Sequence, residues 1–112
     1  MSVIASQIDL CAEVAVPVPV KDPFTYRIPA EFAEKAKPGV RVRIPFKNRE
    51  LIGYMVGVKE SSHLPSLKPL LEILDEKPVI SEALLALTQW IAGYYSSSWG
   101  ESIENALPKS AK

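Results

Sequence analysis

The 112 residues contain one cysteine and one histidine. Cys11 has no second thiol in the chain with which to form a disulfide, and one Cys with one His cannot build a four-ligand structural zinc site, so reducing surroundings fit best. His63, in the polar stretch Ser61-Ser62-His63, has no nearby group to orient it as a general base and reads as a solvated loop residue. Glycine is scarce as well: the five glycines, at 39, 53, 57, 93 and 100, are too scattered for a phosphate-cradling loop or a dinucleotide fingerprint. The segment by itself is therefore expected to be no enzyme and to hydrolyse no ATP. No apolar run approaches the roughly 20 residues that cross a bilayer. Asp9 and Glu13 interrupt the stretch where a secretory signal would lie, so a cytoplasmic location is expected. Net charge is also lacking, because thirteen Lys plus Arg balance thirteen Asp plus Glu. Any contact with nucleic acid has to be local rather than driven by the field of the whole molecule.

With 47% hydrophobic and 23% charged residues, the length suits one globular domain over 1–112. Proline is abundant: nine of the ten prolines precede residue 80, which disfavours long helices there. Between them the pattern has period two. Leu10, Ala12, Val14 and Val16 form one run, and Val40, Val42, Ile44 and Phe46 another, with Arg41 and Arg43 on the opposite face. Pro23 and Pro29 bracket a third strand at Phe24-Thr25-Tyr26-Arg27-Ile28. Leu51 to Val58 is a fourth, apolar on both faces, in which Gly53 and Gly57 read as sites of close backbone packing. Leu67 to Leu74, interrupted by Pro69, reads as a fifth strand at an edge. Lys37-Pro38-Gly39 is a turn, and residues 30–36 suit a short helical turn.

The pattern changes after Pro78. Ser81 is a good N-cap, Glu82 suits the positive end of a helix dipole, and Leu84, Leu87, Ile91 and Tyr95 recur at helical spacing. A helix to about Tyr95 is predicted, broken by Ser96-Ser97-Ser98, with a second short helix from Gly100 to Leu107 ended by Pro108. The expected fold is α+β, mainly β: a small antiparallel OB-like barrel at about 8–76, then one long and one short helix within about 81–108. The stub Lys109-Ser110-Ala111-Lys112 has no structural signal, as if the chain were cut from something longer.

Six basic residues and no acidic one lie between Lys35 and Arg49, namely Lys35, Lys37, Arg41, Arg43, Lys47 and Arg49. Arg41, Arg43 and Arg49 are candidates for DNA phosphate contacts, although a solvated strand face gives the same pattern. Among the nine aromatics, Trp90, Tyr94, Tyr95 and Phe46 read as core. Phe24, at a strand entry after Lys21-Asp22-Pro23, is placed to act as a platform for a base. Phe24, Tyr26 and Ile28 also share one face, the pattern of a core strand.

Taken in order, these segments resemble the N-terminal domain of the PriA family, the primosomal protein N-prime helicases that restart stalled bacterial replication forks. The resemblance rests on Val16-Pro17-Val18-Pro19-Val20 with Phe24-Thr25-Tyr26, on Pro38-Gly39-Val40-Arg41-Val42-Arg43-Ile44-Pro45-Phe46, on Ile52-Gly53, Leu67-Lys68 and Leu74-Asp75, and on Tyr94-Tyr95, Gly100 and Ala106-Leu107-Pro108. It covers about Ala12 to Pro108. It implies a module that binds the 3' end of the nascent leading strand at a stalled fork. Phe24 would stack on the terminal base, Lys68 would close the pocket from another strand, and Thr25, Tyr26 and Lys47 would shape it. The family usually has Asp where Thr25 stands and commonly Gly where Lys47 stands, so a carboxylate is lost and a cation gained. The implied parent is an ATP-dependent 3'-5' DNA helicase with a winged-helix domain, two helicase lobes using ATP and Mg, and a Zn-binding insertion. Its implied partners are forked DNA, other primosome proteins and single-strand binding protein. The competing reading is a small β-barrel that docks another protein through its edge and aromatic rim.

Overall fold

A computed structural model describes residues 9–19, 22–61 and 67–107. His63 and the stub from Lys109 to Lys112 lie outside the described residues. The alternating and proline-bracketed segments form β1 (Asp9–Ala15), β2 (Phe24–Ile28), β3 (Arg41–Phe46) and β4 (Arg49–Ser61), with a short 3-10 helix (Ala30–Lys35) before β3. They are followed by β5 (Glu72–Ile73), α1 (Glu82–Tyr95) and α2 (Trp99–Ala106). The fold is α+β, with an antiparallel sheet in the order β2-β1-β4-β3-β5.

The thirteen residues of β4 serve two neighbours, β3 along its first half and β1 along its second. Glu13 faces Gly57 but Val14 faces Met55, so Val56 is an extra residue, a bulge that sharpens the coiling. At this bend β1 lies so close that a Cβ on Gly53 would stand 2.6 Å from Val14 Cγ1, the close packing the sequence predicts.

The strand ladder does not close, so the barrel is only loosely OB-like. Residues 68–74 span the gap, hydrogen-bonding first to one edge strand and then to the other. The Arg27 amide donates to the Lys68 carbonyl at 2.9 Å and the Leu70 amide to the Arg27 carbonyl at 3.0 Å. The Leu71 and Leu74 amides then donate to the Arg43 and Arg41 carbonyls at 2.8 and 2.9 Å. This corrects the predicted strand Leu67–Leu74. Because the segment changes partners between Leu70 and Leu71, only Glu72–Ile73 is strand, and Pro69 makes a single parallel bridge with Arg27. Inside lie Val14, Tyr26, Ile28, Val42, Ile44 and Met55, among others.

The gap is also held by charge. The Asp75 carboxylate accepts from the Arg41 backbone N–H at 2.8 Å, from its Nε at 3.1 Å and from its second guanidinium nitrogen at 2.8 Å. The Asp75 side chain is only 9% exposed. These Arg41 hydrogen bonds hold the Asp75 carboxyl below the ordinary aspartate value of 3.8. A depressed carboxylate stabilises the fold fully above its unfolded-state value and loses that contribution as pH falls through the folded one. Asp75→Ala, which removes three hydrogen bonds and a carboxylate from a partly buried guanidinium, is expected to cost about 2–3 kcal/mol at pH 7. Urea melts at pH 7 and pH 3 test the linkage: the variant should lose less stability between the two than the parent chain, and an equal loss would refute it.

The helices dock on the other side of the sheet, where Ala15 and Tyr54 meet Ile80, Leu85, Ile103 and Leu107. The buried Tyr54 hydroxyl donates to the Glu104 carboxylate of α2, and burial, then that carboxylate, push the phenol well above its ordinary range. Ser81 caps α1 as predicted, accepting from the Leu84 amide at 3.1 Å. Ser96 ends the helix with a left-handed backbone, φ 58°, and Ser98 with Glu101 forms a capping box at the start of α2.

The buried face of α1 differs from the predicted one. Leu85, Thr88 and Ala92 face inward, whereas Leu87, Trp90, Tyr94 and Tyr95 are exposed. The inward stripe is small and includes a hydroxyl, which hides it from an apolar periodicity. Thr88 Oγ1 donates back to the Leu84 carbonyl at 2.8 Å and accepts from Trp99 Nε1 at 3.1 Å, so it is satisfied at the α1–α2 contact. Among the described residues, no helix is long and apolar enough to cross a membrane.

Candidate nucleic-acid interface

The rings of Phe24 and Phe46 meet at one end of the barrel. Phe24 opens β2, Phe46 ends β3, and each is half-buried because its strand stops there. Their centroids are 5.2 Å apart and their planes are inclined at 78°, an edge-to-face pair between the two outermost long strands. Beneath them the Tyr26 hydroxyl donates to the Pro45 carbonyl at 2.8 Å, a second tie between those strands. Burial raises the Tyr26 phenol above 10.0, so it stays a neutral donor.

Phe46 is thus not the sealed core residue its alternation suggests. Its place at the strand end, between Pro45 and the Lys47-Asn48 turn, is the sequence signal that would have put it at the rim. Lys47 is exposed, with its Nζ 5.6 Å from the centre of the Phe46 ring. Its φ of 57° is left-handed, the backbone that glycine adopts most cheaply. The turn therefore has the backbone geometry that suits glycine and carries a cation at the rim.

Arg49 starts β4 opposite Phe46 and is exposed. Lys68 is exposed too and lies beside β2, its carbonyl held by the Arg27 amide. Among the described residues Lys47, Arg49 and Lys68 make no ion pair. Thr25 alternates to the strand face opposite that of Phe24 and Tyr26, in register with Glu13 of β1. The structure therefore groups Phe24, Tyr26 and Lys47 around Phe46 with Arg49 paired opposite it, sets Lys68 beside Arg27 further along β2, and turns Thr25 the other way. Just before Phe24, Asp22 and Pro23 form one wall of an open cleft of about 210 Å³, with Gln89, Gly93 and Trp99 opposite.

Arg41 and Arg43 are placed differently. Arg41 is bound to Asp75, and Arg43 meets Glu72 at 2.7 Å and Glu50 at 3.9 Å. Lys35 meets Glu76 at 2.9 Å. Three of the six cations from Lys35 to Arg49 are thus matched by the acidic run at Glu72, Asp75 and Glu76. Among the described residues of this run, Lys37 before β3 and Lys47 and Arg49 at the ring-bearing end make no ion pair with a carboxylate.

An open OB-like barrel that carries paired rings and unpaired cations at one end has the build of a nucleic-acid-binding module. Residues 13–108 match the family of the PriA 3'DNA-binding domain (3'BD), and the chain belongs to that family. It is 36% identical over 106 residues to the replication restart protein PriA of Bacillus subtilis (strain 168), covering 90% of this chain and 13% of that protein. Against PriA of Treponema pallidum (strain Nichols) the identity is 29% over 102 residues, 86% of this chain and 16% of that protein. The probable PriA of Mycobacterium tuberculosis (strain CDC 1551 / Oshkosh) is 30% identical over 86 residues, 76% of this chain and 13% of that protein. The chain therefore spans less than a fifth of the length of these relatives.

Proposed function

We propose that the chain reads the 3' end of a nascent leading strand at a stalled fork, as the DNA-end module of a cytoplasmic, ATP-driven 3'-5' helicase for replication restart. The observation that carries this reading is the half-open Phe24–Phe46 pair with Lys47 and Arg49 beside it. A terminal base stacks on the exposed part of Phe24, while Lys47, Arg49 and Lys68 meet the phosphates behind it. ATP, Mg and Zn, like contacts with primosome proteins and single-strand binding protein, belong to parts of the polypeptide outside these residues. One stacked base contributes about 1–3 kcal/mol, so the module binds weakly alone and gains from its tether to a larger body.

Anisotropy of a labelled oligonucleotide is the direct test. The chain should prefer a 3' hydroxyl to a 3' phosphate, and Phe24→Ala should weaken binding by roughly 5- to 150-fold, the equivalent of that stacking energy. Equal binding of both termini would sink the end-reading proposal. Salt dependence separates the two groups of cations. With two or three phosphates met, the log-log slope should be about −1.4 to −2. Lys47→Ala should flatten it by about 0.7, whereas Arg43→Ala, which removes a charge already paired with Glu72, should leave it unchanged.

A further inference from the structure

The outer face of α1 carries none of the side chains assigned above to the DNA end, yet it holds four of the seven large hydrophobic side chains exposed among the described residues. Leu87 is 51% exposed, Trp90 64%, Tyr94 68% and Tyr95 70%. Trp90 and Tyr94 stack at 5.4 Å with planes 13° apart, and Tyr94 meets Tyr95 edge-on at 4.9 Å. The four side chains are contiguous along the last two turns of the helix, so they form one patch rather than scattered exposure.

We propose that this face is an internal docking surface, covered by the part of a full-length PriA polypeptide that lies outside these 112 residues. Charge argues against a nucleic-acid strand as its occupant. From Pro78 to Leu107 the chain carries Glu82, Glu101 and Glu104 and no Lys or Arg, so neither helix supplies a cation to hold a phosphate backbone. Area argues against a free-standing partner or a second copy. The four exposed side chains offer on the order of 500 Å², short of the roughly 800 Å² per side in a stable complex between separate proteins. It does match one side of an interface between domains of one chain, where roughly 600–1,500 Å² is buried in total and the tether supplies the missing affinity. Length supplies the occupant: the relatives extend this chain several-fold, since it covers 13% of one and 16% of another. The occupant is therefore an apolar surface of the same polypeptide, seated on Trp90 and Tyr94.

Hydroxyl-radical footprinting without DNA tests this independently of end recognition. The 87–95 peptide is followed in the 112-residue chain and in the full-length protein. Because attack tracks exposed area, taking the three rings from about two-thirds exposed to about a tenth should slow their oxidation roughly sixfold in the full-length protein. Equal rates in the two would overturn the proposal. Protection that appears in the short chain as its concentration rises would assign the face to a second copy, and protection that needs added oligonucleotide would assign it to DNA; either result also overturns it. As a further readout, Trp90→Ala combined with Tyr94→Ala should leave the melting temperature of the short chain unchanged, since these rings stack on each other outside the core, while making Leu87 of the full-length protein as reactive as in the short chain.

Discussion

Gly39→Ala is expected to destabilise the chain by about 3 kcal/mol or more, through two independent effects. The backbone at Gly39 has φ 104°, where an L side chain is strained. An added Cβ would also stand 2.3 Å from the Ile80 carbonyl oxygen and 2.8 Å from Pro78 Cβ. Neither neighbour can yield cheaply, because the Gly39 carbonyl accepts from the Val79 amide at 2.9 Å and the Ile80 amide at 3.3 Å. Its own amide donates to the Met55 carbonyl at 2.7 Å. One residue thus ties the barrel to the entry of α1, and displacing it loosens both. A thermal melt should shift down by more than 10 °C, at roughly 4 °C or more per kcal/mol for a domain of this size. Gly93→Ala is the control with the opposite sign. A Cβ there meets nothing within 4 Å, so the exposed helix interior should gain about 0.5–1 kcal/mol. A melt in which both variants moved the same way would contradict the geometry.

Gly100→Ala should cost a similar amount by a different route. A Cβ on Gly100 would lie 2.1 Å from the Val16 carbonyl carbon and 2.5 Å from the Pro17 nitrogen, so α2 would have to lift off the end of β1. With it would go the Tyr54–Glu104 hydrogen bond and the contact of Trp99 Nε1 with Thr88. The loss should be about 3 kcal/mol, measured by urea unfolding, since overpacking against backbone has no side-chain escape. The rim formed by Phe24, Phe46 and Lys47 lies on residues outside this contact. At temperatures where the variant is still folded, its oligonucleotide affinity should therefore remain within about twofold of the parent value, a difference of roughly 0.4 kcal/mol. A large loss of affinity with an intact fold would mean that α2 takes part in DNA binding.

Much of the barrel is legible in the residues because a half-buried strand imprints its period of two. Val40, Val42 and Ile44 are fully buried while Arg41 and Arg43 between them are not. Capping is legible at Ser81, which accepts from the Leu84 amide, whereas Ser98, which reads as part of a helix break, caps α2 by accepting from the Glu101 amide. Local spacing misses the choice of face on α1, because the regular apolar repeat of Leu84, Leu87, Ile91 and Tyr95 outweighs an inward stripe of Leu85, Thr88 and Ala92 that includes a hydroxyl and a small residue. A helix turns its small side to a close neighbour whatever the apolar moment prefers, and that neighbour, α2, is specified only by the docking of Gly100 on β1. Phe46 was misplaced for a related reason, since alternation names a strand face but not where the barrel ends.

By itself the sequence determined the first four strands, the two helices, the cap at Ser81, glycines that permit close backbone approach, and the ordered motifs that mark the family. Each of these is written in neighbours a few residues apart, where sterics and hydrogen bonding act locally. Only the tertiary structure decided which cations are available to a ligand. Arg41 and Arg43 are matched by Asp75 and Glu72, more than 25 residues later in the chain, because residues 68–74 cross the open edge of the barrel. Lys47 and Arg49, at the tip of the β3–β4 turn, lie beyond the reach of that segment. Charge adds along the chain, but it cancels in space.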